Sequence, residues 1–169
     1  MAFAVLLSLA ASSCGRTICG PAVYVPQERI LVTEFRYTPF LNGRRCWVFL
    51  PRNYYHTSAR YPVLYMLDGQ ELFDPNNRWR VDQTCESMIE KGEIDPIIVV
   101  GIENAHSERN LEYTPWVDSV YNDQSGRGEA FLQQVSGTLI PMVNRRFRTI
   151  TGQAHTYIAG ASLGGLMAA

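Results

Sequence analysis

Gly160, Ser162 and Gly164, within Thr156-Tyr157-Ile158-Ala159-Gly160-Ala161-Ser162-Leu163-Gly164-Gly165, form a pattern with a specific chemical use. A serine at the apex of a sharp strand-to-helix turn has its hydroxyl lifted above a sheet, where it can attack an acyl carbonyl and form an acyl-enzyme. The flanking Gly160 and Gly164 meet a steric demand, because side chains there would collide where the incoming strand and outgoing helix cross. The helix beginning beside the serine aims unpaired backbone N–H groups at the carbonyl oxygen. The amide of Leu163 is therefore a candidate donor to the oxyanion that attack creates. A packing turn with the same spelling is the bland alternative, and the surrounding elements decide between the two.

Those elements alternate in period. Ile30 to Phe35 and Arg45 to Leu50 are β-rich runs on either side of Asn42-Gly43, a dipeptide suited to the positive φ angles of a tight hairpin. Tyr61 to Leu67 and Ile97 to Ile102 are nearly unbroken apolar runs, as strands buried on both faces require. Between them, from Trp79 to Lys91, Val81, Cys85, Met88 and Ile89 recur at helical spacing, and Gly92 closes the pattern. A long polar loop is expected from about Glu103 to about Gly126. From Gly128 to Phe147, residues Phe131, Leu132, Val135, Leu139 and Val143 mark a helical face that Pro141 should kink or interrupt. Thr156 to Ala159 reads as a short strand entering the serine turn, with a helix beginning over Leu166 to Ala169. The fold class is α/β: a mainly parallel sheet covered on both sides, with an antiparallel hairpin at its leading edge.

Within this order the serine turn falls at a strand-to-helix junction, after two buried strands and two helices. The end of the first central strand, Leu67-Asp68-Gly69-Gln70, lies where a second backbone donor to the oxyanion is needed, with Gly69 letting the chain turn. Without the serine turn downstream this would be an ordinary Asp-Gly turn.

Composition bounds the remaining possibilities. The 169 residues are 46% apolar and 18% charged, which suits one domain with a buried core. The formal net charge is −1 and there is no long run of Lys or Arg, so the electrostatic footprint of a nucleic-acid binder is missing. Met1 to Ala11 is apolar and is followed by small residues, which marks residues 1–20 as a candidate secretory leader, although no Lys or Arg precedes it. At eleven residues the stretch falls short of the ~20 needed to cross a bilayer. Ala11 to Gly15 has the outline of a loose bacterial lipobox lacking its leucine, with Cys14 as the residue that would be lipidated. The expected location is secreted, periplasmic or in the cell envelope, and cytoplasmic if the stretch is no signal. Residues 21–169 read as one domain. Cys14, Cys19, Cys46 and Cys85 have no CxxC spacing, and His56, His106 and His155 do not cluster with them, so neither a metal nor a cofactor is expected. Cys19, Cys46 and Cys85 leave two readings open, one disulfide or free buried thiols. Oligomeric state has no signature here.

The blocks YPVLYMLDGQELFD, the helix from Trp79, PIIVVGIEN, Glu112-Tyr113-Thr114-Pro115, FLQQVSGTLIPMVNRRFR and YIAGASLGG, taken in order, resemble the putative-esterase family of the α/β-hydrolase fold. That family includes feruloyl, acetyl xylan and enterochelin esterases, S-formylglutathione hydrolase and the antigen 85 mycolyltransferases. The resemblance runs from about Arg45 to the end of the chain. It implies a serine carboxylic-ester hydrolase acting on a small-molecule or carbohydrate-linked ester, with Ser162 as nucleophile and the Leu163 and Gln70 amides as oxyanion hole. The triad order in this fold is Ser, then Asp or Glu, then His, yet only seven residues follow Ser162. The chain is thus expected to be an N-terminal fragment, missing the C-terminal strands, helices, acid and base, and nearly inactive by itself. His56, His106 and His155 all precede the serine and receive structural readings, His155 at the far edge of the sheet. Arg109, Tyr113 and Trp116 on the long loop read equally as cleft lining and as loop anchors. Two other classes stay open: a non-catalytic binding module on a hydrolase core, and transfer of the acyl group to a sugar instead of water.

Overall fold

A computed structural model describes residues 31–77, 79–117 and 126–169. The apolar leader with Cys14, together with Cys19, Ile30 and residues 118–125 of the expected loop, lies outside the described residues.

The β-rich runs form β1 (Leu31–Arg36) and β2 (Arg45–Leu50), paired antiparallel from Leu31↔Leu50 to Arg36↔Arg45. The connection takes the positive φ angles that Asn42-Gly43 predicts, and Leu41 joins them, with φ of 42°, 55° and 82° at Leu41, Asn42 and Gly43. It is longer than a two-residue hairpin turn, and it buries Phe40 completely. β3 (Val63–Leu67), β4 (Ile98–Ile102) and β5 (Thr156–Ala159) complete a sheet ordered β1-β2-β4-β3-β5. β2 runs antiparallel to β4, while β4, β3 and β5 are mutually parallel. Parallel strands need crossovers, and helices supply them on both faces.

β4 is buried at all five positions, as its unbroken apolar run requires. β3 differs from expectation: Val63, Tyr65 and Leu67 are buried, whereas Leu64 and Met66 on the other face are only partly covered. The cause is an uneven pair of cores. The larger one packs Tyr65, Leu67, Val100 and Ile102 against Phe131, Val135, Leu139 and Val143, whereas the smaller one sets Phe49 and Val99 against Leu72, Val81 and Cys85.

Helix boundaries also moved. A short helix that the sequence did not announce, α1 (Gly69–Leu72), follows β3 directly, and the pattern from Trp79 to Lys91 becomes α2 (Val81–Glu90), which leaves Trp79 and Arg80 ahead of the helix with Arg80 left-handed at φ 40°. The Gly92 and Glu93 amides close α2 on the Ile89 and Met88 carbonyls, the cap that Gly92 predicts. The polar loop after β4 is more ordered than expected: a 3-10 turn (His106–Glu108) leads into α3 (Arg109–Glu112), and Tyr113 is completely buried. Between α4 (Gly128–Gln134) and α5 (Ile140–Arg146), Val135–Leu139 is π-helical, with the Ile140 amide donating to the Val135 carbonyl. This wider turn ends just before Pro141, which has no N–H to continue a regular ladder, so the helix bulges where a kink was expected. Finally α6 (Leu163–Ala168) begins immediately after Ser162, three residues earlier than the sequence suggests.

Cys46 and Cys85 are both buried and free, Cys46 in the larger core and Cys85 in the smaller. Burial raises both thiols from an ordinary 9.0, Cys46 to about 12 and Cys85 to about 11. Iodoacetamide at about pH 8 should leave both unmodified in the folded chain and alkylate both in concentrated urea, read by peptide mass mapping. The linkage sign follows: unfolded thiols ionise near 9.0 and folded ones only near 11 to 12. Their contribution is therefore complete below about pH 9 and is lost as pH rises, so the urea midpoint should fall over that range.

Candidate active site

Ser162 has φ 55° and ψ −124°, a backbone conformation that costs a non-glycine residue about 1–3 kcal/mol. The surroundings impose it. A Cβ at Gly160 would stand 2.4 Å from the Gly164 carbonyl carbon and 2.5 Å from its oxygen, so β5 and α6 cross backbone to backbone. A Cβ at Gly164 would stand 3.2 Å from Asp68 Oδ2 and 3.4 Å from Leu67 Cβ, so α6 also lies against the end of β3. Ser162 itself is exposed at this apex, and the amide of Leu163, first residue of α6, is among the donors a helix start leaves unpaired.

The turn after β3 is built differently from its sequence reading. Asp68, not Gly69, takes the left-handed conformation, at φ 61° and ψ 41°. Gly69 serves close approach instead, since a Cβ there would lie 2.5 Å from the Gly101 carbonyl carbon and the Ile102 nitrogen. α1 can therefore sit directly on β4. Gln70 is the second residue of α1, and its side-chain Oε1 accepts from the Asn104 amide at 3.3 Å. Gln70 lines a neighbouring hollow with Val32, Trp47 and Phe73 and not the cleft that contains Ser162, so only its backbone amide, in the first turn of α1, stays a candidate oxyanion donor.

That cleft, about 450 Å³, is bounded by Met66, Leu67, Asp68, Glu71, Leu72, Trp79, Asn104, Arg109 and the stretch Ala159–Ser162. Its polar wall is a tight network. The Arg109 guanidinium donates to both Asp68 carboxylate oxygens, Nε to Oδ1 at 2.6 Å and Nη2 to Oδ2 at 2.7 Å, and Nη2 also donates to the Ala161 carbonyl at 3.3 Å. Asn104 Nδ2 donates to Asp68 Oδ1 at 2.6 Å. The Arg109 guanidinium lies 5.1 Å from the centre of the Tyr113 ring, and the Tyr113 hydroxyl accepts from the Asp68 amide at 3.4 Å. Hydrogen bonding to Asp68 raises the Arg109 pKa further, and burial followed by the Asp68 charge pushes the Tyr113 phenol well up, so neither changes charge near neutrality. Of the loop residues read both as lining and as anchors, Tyr113 is an anchor, Arg109 is both, and Trp116 is 55% exposed and outside the cleft.

A second ionic cluster supports the loop from below. Burial favours the neutral Glu103 carboxyl, but the hydrogen bonds and charge of Arg45 and a bond from His106 outweigh it and lower its pKa. Glu112 pairs with Arg44 at 2.9 Å and accepts from the Ala105 amide at 3.0 Å. His106 Nε2 is thus committed to Glu103 at 3.1 Å, while His56 and His155 lie in 3-10 turns ahead of β3 and β5, at the strand ends opposite Ser162. Among the described residues, no histidine lines the Ser162 cleft. Sequence reasoning missed Asn104, Glu71 and Trp79. Asn104 had a signal, being a polar residue two positions past the end of the fully buried β4, where open α/β sheets carry their sites.

A family model described as "Putative esterase" matches residues 42–169. The chain belongs to this family. Among curated proteins, this esterase-family chain is 28% identical over 129 residues to "Uncharacterized protein YbbA" of Bacillus subtilis (strain 168), a match covering 74% of this chain and 49% of that protein. The chain thus spans about half the length of the curated relative. Solved structures of similar fold include an IroE-like serine hydrolase from Shewanella oneidensis, at TM-score 0.65 and 23% identity over 82% of this chain and 44% of that one. A ferulic acid esterase matches at TM-score 0.60 and 23% identity over 86% and 52%. The enterobactin esterase FES from Shigella flexneri, with enterobactin, matches at TM-score 0.60 and 23% identity over 87% and 34%. These likenesses establish the α/β-hydrolase fold of the esterase family.

Three substitutions should separate strain from packing at the elbow. Ser162→Gly relieves the backbone and is expected to raise stability by roughly 1 kcal/mol over Ser162→Ala, which stays strained. Gly160→Ala should cost about 1–3 kcal/mol because β5 and α6 must separate. Urea midpoints of the three variants provide the check.

Proposed function

We propose that the protein is a serine carboxylic-ester hydrolase in which Ser162 attacks the ester carbonyl. The observation that carries this reading is the backbone of Ser162, an exposed serine held at φ 55° and ψ −124° between two glycines in contact. A strained, outward-facing nucleophile at a strand-to-helix turn is a costly arrangement with a catalytic use. In the proposed reaction the Ser162 oxygen bonds to the acyl carbon as the carbonyl oxygen gains negative charge. The Leu163 and Gln70 amides stabilise that charge, the alcohol leaves with a proton, and water then releases the acid.

The proton transfers need a base held by an acid. No histidine lines the Ser162 cleft among the described residues, so we propose that base and acid come from chain outside these 169 residues. The apolar walls formed by Met66, Leu72 and Trp79, beside the polar Asn104 and Arg109, suit a small-molecule or carbohydrate-linked ester with both an apolar and a polar part. The apolar leader supports an exported protein, lipidated if Cys14 is used.

In the full-length protein, Ser162→Ala should lower kcat for p-nitrophenyl acetate by about 10⁴-fold or more and abolish labelling by a fluorophosphonate. Residues 1–169 alone should label far more slowly than the full-length protein. Ester hydrolysis that survives Ser162→Ala would remove the serine from the mechanism.

A further inference from the structure

The inference concerns Arg109 and rests on the reading of Ser162 as nucleophile. Asp68 sits beside the site where negative charge would develop. Its Oδ2 lies so near α6 that a Cβ at Gly164 would stand 3.2 Å from it, and Gly164 is the second residue of the helix whose first amide is the proposed oxyanion donor. The carboxylate is only 16% exposed, so water screens it weakly. Left alone, it would oppose a second negative charge forming at the start of the helix it lies against. Arg109 engages both of its oxygens, at 2.6 and 2.7 Å, in the planar two-pronged geometry that suits a carboxylate. Its Nη2 also reaches the Ala161 carbonyl at 3.3 Å, directly before the nucleophile. One guanidinium therefore touches both segments that carry the proposed oxyanion donors, the turn after β3 and the elbow.

We infer that Arg109 is a positioning residue for acyl transfer: it neutralises Asp68 beside the oxyanion site and clamps the turn after β3 onto the Ser162 elbow. Asn104, donating to Asp68 Oδ1 at 2.6 Å, assists but carries no charge. The role is separate from the place Arg109 takes in the cleft wall, because its Nε and Nη2 are directed at Asp68 and at the Ala161 carbonyl. Its signature is an asymmetry. Removing the cation strands the carboxylate, whereas removing the carboxylate leaves a cation that favours an oxyanion. A purely mechanical clamp would suffer equally from either loss.

The test is kinetics of p-nitrophenyl acetate hydrolysis by the full-length protein. Arg109→Met should lower kcat about 100-fold while KM changes less than about threefold, the pattern of a transition-state effect. Adding Asp68→Asn to Arg109→Met should recover about tenfold of that loss, because the stranded charge is gone. Asp68→Asn alone should lose at least about tenfold less than Arg109→Met, and Arg109→Lys should fall between wild type and Arg109→Met, since it keeps the charge but loses the two-pronged contact. If Arg109→Met does not fold, judged by near-ultraviolet circular dichroism, Arg109→Lys against Asp68→Asn decides the matter. A kcat for Arg109→Met within about twofold of wild type, or a double variant no better than the single, would overturn the inference. In the Lys-against-Asn comparison, so would an Asp68→Asn loss larger than that of Arg109→Lys. Ser162→Ala run in parallel separates the two levels. Turnover that survives it removes the serine reading and this inference together; Ser162-dependent turnover indifferent to Arg109 removes the inference alone.

Discussion

Gly160 and Gly164 touch backbone to backbone, and much of the site geometry follows from that contact. With no side chain between them, the entering strand and the leaving helix pass at a separation no other residue pair would permit. The chain must then reverse within Ala161, Ser162 and Leu163, which forces the serine into its unusual backbone angles and its side chain outward. The same closeness brings α6 down onto Leu67 and Asp68, so the elbow and the end of β3 meet at one edge of the sheet. Gly69 repeats the device on the neighbouring strand, where α1 rests directly on Gly101 and Ile102. Two glycine contacts thus draw two helix starts toward the same edge.

Placing helix starts together creates an electrostatic question that Asp68 and Arg109 answer. The carboxylate occupies space against α6, its oxygens are matched by one guanidinium, and that guanidinium is backed by the Tyr113 ring. Tyr113 is completely buried, packed 5.4 Å ring to ring with Phe131. The polar wall of the cleft is thereby fastened to the larger core through an aromatic pair, and the segment after β4 acts as part of the scaffold.

Much of the architecture was legible because its signals are periodic. Unbroken apolar runs marked β3 and β4, the β-rich pair around Asn42-Gly43 marked the hairpin, and Gly92 marked the end of α2. A mainly parallel sheet with a hairpin at one edge was legible from the alternation of strands and helices, whereas the order β1-β2-β4-β3-β5 and the partial exposure of Leu64 and Met66 were not, since both depend on how the elements pack. In the cleft, the serine turn was legible as a pattern whose spacing is itself the steric requirement. Asn104, Glu71 and Trp79 were not, because they come together only through tertiary structure. The turn after β3 shows the sharper limit: Asp-Gly spells a turn, but which residue adopts the left-handed angle is decided by what packs behind it. Gly69, pressed against β4, leaves that task to Asp68.

The π-helical stretch Val135–Leu139 has a consequence for the angular arithmetic of the long helix. Its core-facing residues Phe131, Val135, Leu139 and Val143 repeat every fourth position, yet a regular α-helix turns once per 3.6 residues. A four-residue repeat would therefore drift by about 40° at each step and spiral off the sheet. Adding a wider turn midway absorbs part of that drift, so the four side chains form a straighter file over the parallel strands. The sequence writes a period of four, and the backbone locally unwinds to honour it.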